Sequence, residues 1–268
     1  MIKVSVIVPT YRPKEYLWEC LDSLVKQTFS KDNFEVIIVL NGCCEPWKSE
    51  IERYVSQNMT DMQIRFIQMD HAGVSSARNV ALDYAQGEFV TFIDDDDYVS
   101  PVYLERLYAI SSEGTIALCY PYAFIDGKPN IQISYSITEI YNKLKPLGRI
   151  QYHRARKYFS GPCMKLIPIS FIKDRRFDVR FRNGEDALFN FLISDKFTYV
   201  DFTSIDAVYY RRYRENSAVT ANRTRLDKIC NSASLCMAFS LIYFKSPRCY
   251  NLCFYITRIL AAIHSMFV

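Results

Sequence analysis

Four short apolar runs, VSVIV (4–8), EVIIVL (35–40), IRFIQM (64–69) and FVTFI (89–93), alternate with stretches whose apolar residues recur at helical spacing. No other feature restricts the fold so tightly. VSVIV is β-branched and gives way to Pro9, as expected of a strand buried on both faces. After it, Leu17, Leu21, Leu24 and Val25 share one helical face, and Pro13 is placed to begin that helix. PWKSEIERYVSQ (46–57) and GVSSARNVALDYAQ (73–86) read as the next two helices, the second closed by Gly87 in a C-cap role. SPVYLERLYAI starts another, with Ser100 as N-cap and Pro101 in its first turn. Such units join parallel strands through right-handed crossovers, so the first 110 residues predict a doubly wound α/β sheet.

In that architecture ligands bind beyond the carboxyl ends of the strands. The residues that follow the four runs are Pro9-Thr10-Tyr11, Asn41-Gly42, Asp70-His71 and Asp94 to Asp97, which should therefore share one edge. The last group is electrostatically demanding. Two ionised carboxylates about 4 Å apart repel by roughly 4 kcal/mol at an effective dielectric near 20, so four in a row want full solvation or a cation. Hard oxygen ligands at a rigid strand end suit Mg²⁺ or Mn²⁺, with a bound diphosphate supplying further ligands. A solvated acidic turn that starts the following helix is the other reading the residues leave open.

Half of the 268 residues are hydrophobic, enough for a sizeable core in one large domain or a domain with an appended subdomain. The formal charge of +4, with no basic run before residue 200, argues against a nucleic-acid partner. Nine cysteines without CxxC or Cys/His spacing read as the reduced thiols of a cytosolic protein. The apolar segment in MIKVSVIVPTYRP is too short for a signal peptide, which also fits a cytoplasmic location.

Beyond residue 120 the alternation weakens. TIALCY reads as a strand, and residues 123–160 as an irregular, aromatic and basic acceptor side. CMKLIPISFIKD reads as a strand leading into a short helix, GEDALFNFLIS as a helix, FTYVD and IDAVYYRRY as strands, and the chain from Leu226 as helical. In NGEDALFNF, Glu185 and Asp186 open an amphipathic helix whose Leu188, Phe189 and Leu192 face the core. On the residues alone this pair is either an acid–base site or helix N-terminal charge favoured by the macrodipole. The final CYNLCFYITRILAAIHSMF, broken by Arg258 and His264, fits a helix packed on the catalytic body or one docked at a membrane interface better than a span.

In order and spacing, VSVIVPTYRP, VLNG, HAGVSSARNVAL, GEFVTFIDDDDYVSP, MKLIPISFIKDRRFD, NGEDALFNF and VYYRRYRENS resemble a family 2 glycosyltransferase of the GT-A fold, from residue 3 to about 220. The resemblance implies a Rossmann-like, mostly parallel α/β sheet with flanking helices and a C-terminal helical extension. Residues 1–120 would be the nucleotide-sugar-binding half, 121–222 the acceptor-binding and catalytic half, and 223–268 the extension. Asp94 and Asp96 would form the DxD pair, with Asp96 the direct metal ligand, Asp95 a lesser contributor, and Asp97 either a contributor or a cap for the next helix. Pro9, Thr10 and Tyr11 would edge the nucleobase, Tyr11 packing on it. Arg78 and Asn79 would lie near the donor sugar, the Arg78 fork pairing with a phosphate or with Asp94. Asn41 stands where the family usually has an acidic residue, and its amide both accepts and donates.

By the same resemblance Asp186, beside Glu185, is the general base, and Arg212 or Arg214 clamps the diphosphate in a basic, aromatic loop. The implied activity is Mn²⁺- or Mg²⁺-dependent, inverting transfer of a hexosyl or N-acetylhexosaminyl group. The donor would be a nucleoside diphosphate sugar, UDP-linked above all, and the acceptor a hydroxyl of a glycan or lipid-linked glycan in bacterial surface polysaccharide synthesis. The rivals are a GT-A-like nucleotidyltransferase and a nucleotide-sugar-binding module without turnover.

Overall fold

A computed structural model of the chain describes residues 1–112, 114–214 and 224–266. The four apolar runs form the strands β1 (Val4–Thr10), β2 (Phe34–Asn41), β3 (Gln63–Met69) and β4 (Phe89–Phe92). They are mutually parallel in the order β3-β2-β1-β4. Every residue of β1 and β2 is buried, which is why these segments read as unbroken apolar runs rather than alternating ones. The intervening helices are α1 (Glu15–Val25), α2 (Trp47–Asn58) and α3 (Val74–Tyr84).

Downstream come β5 (Tyr98–Val99), α4 (Tyr103–Ile110), β6 (Thr115–Leu118) and β7 (Tyr120–Ile125). They are followed by α5 (Ser136–Leu144), β8 (Ile150–Gln151), β9 (Lys165–Pro168) and α6 (Ile169–Ile172). The remaining elements are α7 (Glu185–Leu192), β10 (Tyr199–Phe202), β11 (Val208–Tyr213), α8 (Arg225–Lys245) and α9 (Leu252–His264). β9 runs antiparallel to both β4 and β6 and so splices a second group of strands onto the first, in the order β3-β2-β1-β4-β9-β6-β10-β8. A separate sheet, β5-β11-β7, lies beyond the acidic run. Residues 123–160, expected to be irregular, contain α5, β8 and a 3₁₀ run at 152–160 whose Tyr152, Ala155, Tyr158 and Phe159 are buried. Much of the aromatic content of that stretch is therefore core.

Several local expectations are corrected. α1 begins at Glu15, two residues past Pro13. Gly87 does not cap α3, whose C-cap is Ala85 in an extended conformation. It is glycine because the chain passes against β1, where a Cβ would sit 2.5 Å from the Ser5 nitrogen. Ser100 does not cap α4 either. Its hydroxyl donates to the Asp206 carbonyl at 2.7 Å and accepts from the Val208 amide at 2.9 Å, tying β5 to β11.

The two C-terminal helices run antiparallel, with Ser232 opposite Ser265 and Ser240 opposite Tyr255. α9 packs on the body through Phe254, Arg258 and Ala262. Arg258 donates to the Arg156 carbonyl at 2.6 Å, and burial lowers its pKa to about 10. Among the described residues no helix is long and apolar enough to cross a membrane.

The Gly87 contact is with backbone, which has little room to give. Gly87→Ala is therefore expected to cost about 2–3 kcal/mol, read as a lower urea midpoint at unchanged slope. A midpoint equal to that of the parent would remove the close approach as the reason for glycine.

Candidate active site

The strand ends meet as the topology requires. Asn41 closes β2 with its amide nitrogen donating to the Thr10 carbonyl at 2.7 Å and its amide oxygen accepting from the Gly73 amide at 2.9 Å. An aspartate could not make the first bond, which gives the departure from an acidic residue a physical reason. Pro9 and Thr10 are buried in β1, and the Thr10 hydroxyl donates to Asp95. Tyr11 emerges at the edge, 45% exposed, with the Arg12 guanidinium 5.2 Å from its ring centroid.

The four carboxylates of the acidic run have different partners. Asp94 takes Arg78 Nη2 at 3.0 Å, and Asp96 takes Arg214 Nε at 2.8 Å. Asp97 is buried and accepts from the Tyr209 hydroxyl at 2.8 Å and the Arg212 amide at 2.7 Å, so it fastens β11 to the end of β4 and caps no helix. Burial pushes the Asp95 carboxyl up to about 7, with Asp96 and Asp94 adding to the rise and Thr10 opposing it. Burial, then the neighbouring carboxylates, also raises Asp96 and Asp97.

Arg78 links this run to the second acidic motif. It is 4% exposed and its other nitrogen, Nη1, donates to Asp186 at 2.8 Å. Burial disfavours the charges, and the two carboxylates outweigh that for the guanidinium. Asp186 is raised by burial, with Arg78 pulling it back and Asp94 adding to the rise. Glu185 is buried beside it at the start of α7. Gly184, at φ +86°, sits against Leu235 of α8, where a Cβ would come within 2.6 Å of a methyl group. Asn79, expected near the donor, instead exchanges two 2.8 Å hydrogen bonds with the Phe177 backbone and pins the segment leading to α7.

The arginines after Tyr210 are sorted by strand alternation. Arg212 is bonded to Glu19, to Asp126 at 2.7 Å and to the Asp96 carbonyl at 2.9 Å. Arg211, which the sequence left undistinguished from its neighbours, turns instead to Tyr135, its Nη1 donating to the hydroxyl at 3.4 Å. Its guanidinium packs 5.6 Å from the Tyr135 ring centroid, and Tyr135, Asp97 and Asp94 raise its pKa against the opposing effect of burial. Arg214 covers the Tyr16 ring at 4.3 Å while holding Asp96. Asn216 and Ser217 of the same motif lie outside the described residues.

Sequence reading also missed Lys165. Its ammonium is wholly buried in β9 and donates to the Gly161 and Cys163 carbonyls at 2.7 and 2.8 Å. Asn190 donates to the same Gly161 carbonyl and to that of Asp186, both at 2.9 Å, so the 161–163 loop and the start of α7 are held together. A lysine in an otherwise apolar strand is the only signal the sequence offers.

Among the described residues no three His, Cys, Asp or Glu side chains form a metal cage. The donor set nonetheless fits a divalent ion that arrives with a diphosphate, because Mg²⁺-type sites commonly use one or two carboxylates and complete the shell with phosphate oxygens and water. Asp94 and Asp96, at 35% and 19% side-chain exposure, are the carboxylates that would supply such ligands.

Residues 5–173 match the model of the family described as Glycosyl transferase family 2. The chain belongs to this family. It is 30% identical over 227 residues to glycosyltransferase GlyA of Streptococcus pneumoniae, covering 80% of this chain and 31% of that protein. It is 31% identical over 231 residues to the minor teichoic acid biosynthesis protein GgaB of Bacillus subtilis, covering 84% and 24%. The chain thus spans a third or less of these relatives' own length. The crystal structure of Staphylococcus aureus TarS 1-349 with UDP-GlcNAc superposes with a TM-score of 0.72 at 23% identity, covering 99% of this chain and 73% of that one. The Pyrobaculum calidifontis mannosyltransferase PcManGT, in complex with GDP-Man and Mn²⁺, superposes at 0.63 with 19% identity, covering 99% and 70%. Both share the GT-A fold with this family member.

The buried Lys165 generates a pH dependence. Burial lowers its pKa from 10.5 to about 8. Below about 8 both folded and unfolded states hold the proton; between there and 10.5 only the unfolded chain does, so this residue adds stability as pH rises through that window. Relative to Lys165→Met, the parent should gain on the order of 3 kcal/mol between the two ends of the window. A stability difference that stays constant with pH would contradict it.

Proposed function

We propose that the protein is a metal-dependent, inverting glycosyltransferase that moves a sugar from a UDP-linked donor to a hydroxyl of a glycan or lipid-linked glycan in bacterial surface polysaccharide synthesis, working on the cytoplasmic side. The observation that carries this reading is Arg78, which joins the strand-end carboxylate Asp94 to Asp186 on α7. A donor-binding half (1–120) and an acceptor half (121–222) thereby converge on one cluster, with 223–268 as the helical extension. Further support comes from relatives named for teichoic acid synthesis and from a fold neighbour that binds UDP-GlcNAc.

In this reading Tyr11, with Pro9 and Thr10 behind it, packs on the nucleobase, and the Asn41 amide oxygen, which already accepts from the Gly73 amide, keeps a second lone pair for a base donor. Asp96 and Asp94 hold Mn²⁺ or Mg²⁺, which when bound neutralises charge on the departing diphosphate. Arg214, which holds Asp96, supplies positive charge beside it, and Arg211 adds to the positive field at Asp97 and Asp94. Arg212 and Asn79 act as positioning residues through Asp96 and Phe177. Asp186 takes the proton from the attacking hydroxyl; its raised pKa brings it closer to neutrality, and Glu185 and Arg78 fix its place. The hydroxyl oxygen bonds to the anomeric carbon as the bond to the diphosphate breaks, so no protein nucleophile is needed.

Thermal unfolding tests the donor side: UDP-N-acetylglucosamine with Mn²⁺ should raise the midpoint of the parent and fail to do so in Asp96→Asn. Asp186→Asn should keep that shift while losing roughly 10²–10⁴-fold in sugar transfer. Release of pyrophosphate from a nucleoside triphosphate would favour the nucleotidyltransferase. Donor binding with equal turnover in the parent and both variants would leave a binding module.

A further inference from the structure

The outward faces of α8 and α9 are apolar. Met237, Leu241 and Phe244 stand 66%, 67% and 69% exposed at positions i, i+4 and i+7 of α8. Leu252, Ile256 and Leu260 repeat at i, i+4 and i+8 on α9, at 53%, 46% and 58%. These stripes lie opposite the faces that pack on the body through Leu235, Phe239, Phe254 and Ala262. Contiguous exposed apolar surface of this kind marks an interaction site.

The charge at the turn between the two helices is one-sided. After Asp227 the chain contains no aspartate or glutamate, while Lys245 and Arg248 are exposed at the turn between the helices. A cavity of about 370 Å³ between α7 and α8 is lined by Leu188, Leu192 and the same Leu241. Arg176, Asp178 and Arg180 line it too, Arg176 paired with Asp83 and Arg180 with Asp178, the Arg180 side chain being 78% exposed. The cleft therefore adjoins the apolar face through Leu241, with ion-paired arginines in its lining.

We infer that this hairpin lies on an anionic lipid bilayer, its apolar stripes in the acyl boundary and its basic residues among the headgroups. A second copy of the chain is the poorer occupant, because it would bring two basic turns together, Lys245 and Arg248 having no side-chain carboxylate after Asp227 to pair with. A bilayer supplies hydrocarbon and negative charge at once. α8 also touches the start of α7 through Leu235 and Gly184, so docking holds Asp186 near the lipid surface. In that last respect the inference deepens the lipid-linked acceptor reading and rests on it. Docking itself does not.

The test is flotation of the 268-residue chain, with no sugar donor present, on vesicles of phosphatidylcholine and of an equimolar phosphatidylcholine–phosphatidylglycerol mixture. Flotation with the mixed vesicles, several-fold weaker on phosphatidylcholine and at high salt, is expected. Combined Met237→Glu, Leu241→Glu and Phe244→Glu should cut binding at least roughly tenfold at an unchanged melting midpoint. Lys245→Glu with Arg248→Glu should remove the preference for the anionic vesicles. No flotation, equal flotation of the triple variant, or a dimer in solution that the triple variant dissociates would overturn it. Because no donor is present, failure here leaves the transferase reading standing, and failure of donor binding leaves this one standing.

Discussion

Arg78 carries a permanent positive charge in a nearly dry interior, and that is tolerable only because a carboxylate lies at each end of its fork. Removing one partner of a buried ion pair typically costs about 3–5 kcal/mol, since the charge left behind has neither water nor a counter-ion. The constraint works in both directions. Asp94 at the end of β4 and Asp186 at the start of α7 would repel each other across the cluster, and the guanidinium makes their neighbourhood possible.

Around that bridge, the further carboxylates of the acidic run are held by hydroxyls, by backbone amide or by arginine. Asp97 is spent on β11 and Asp95 on Thr10, while the half-buried Asp94 and Asp96 each face an arginine. The two-residue period of β11 sends Arg211 towards Tyr135 and Arg212 towards Glu19 and Asp126, although the two are adjacent in sequence. Lys165 and Asn190 stiffen the loop beneath Asp186 through backbone carbonyls, a device that costs a buried ammonium but fixes the geometry.

The strand runs, the shared edge and both acidic motifs were legible in the sequence because each rests on a short-range signal: burial periodicity, or chemistry at a strand end. What was not legible depends on contacts distant in sequence. Gly87 looks like a helix cap and is a close approach to Ser5; Ser100 looks like an N-cap and bonds across to Asp206 and Val208. Asn79 looks like a ligand contact and holds Phe177, a residue 98 positions away. The three-stranded sheet and the antiparallel β9 splice were likewise invisible, because pairing between distant segments leaves no local pattern.

The claim on which the site depends is that Asp94 and Asp186 share one guanidinium. A double-mutant cycle on folding stability with Asp94→Asn and Asp186→Asn addresses it directly. Either single change leaves Arg78 one carboxylate, whereas both together strand its charge, so the double variant should lose about 1–3 kcal/mol more than the two singles summed. Additivity within about 0.5 kcal/mol would mean that the two carboxylates are independent, and the two halves would then lack the link described here.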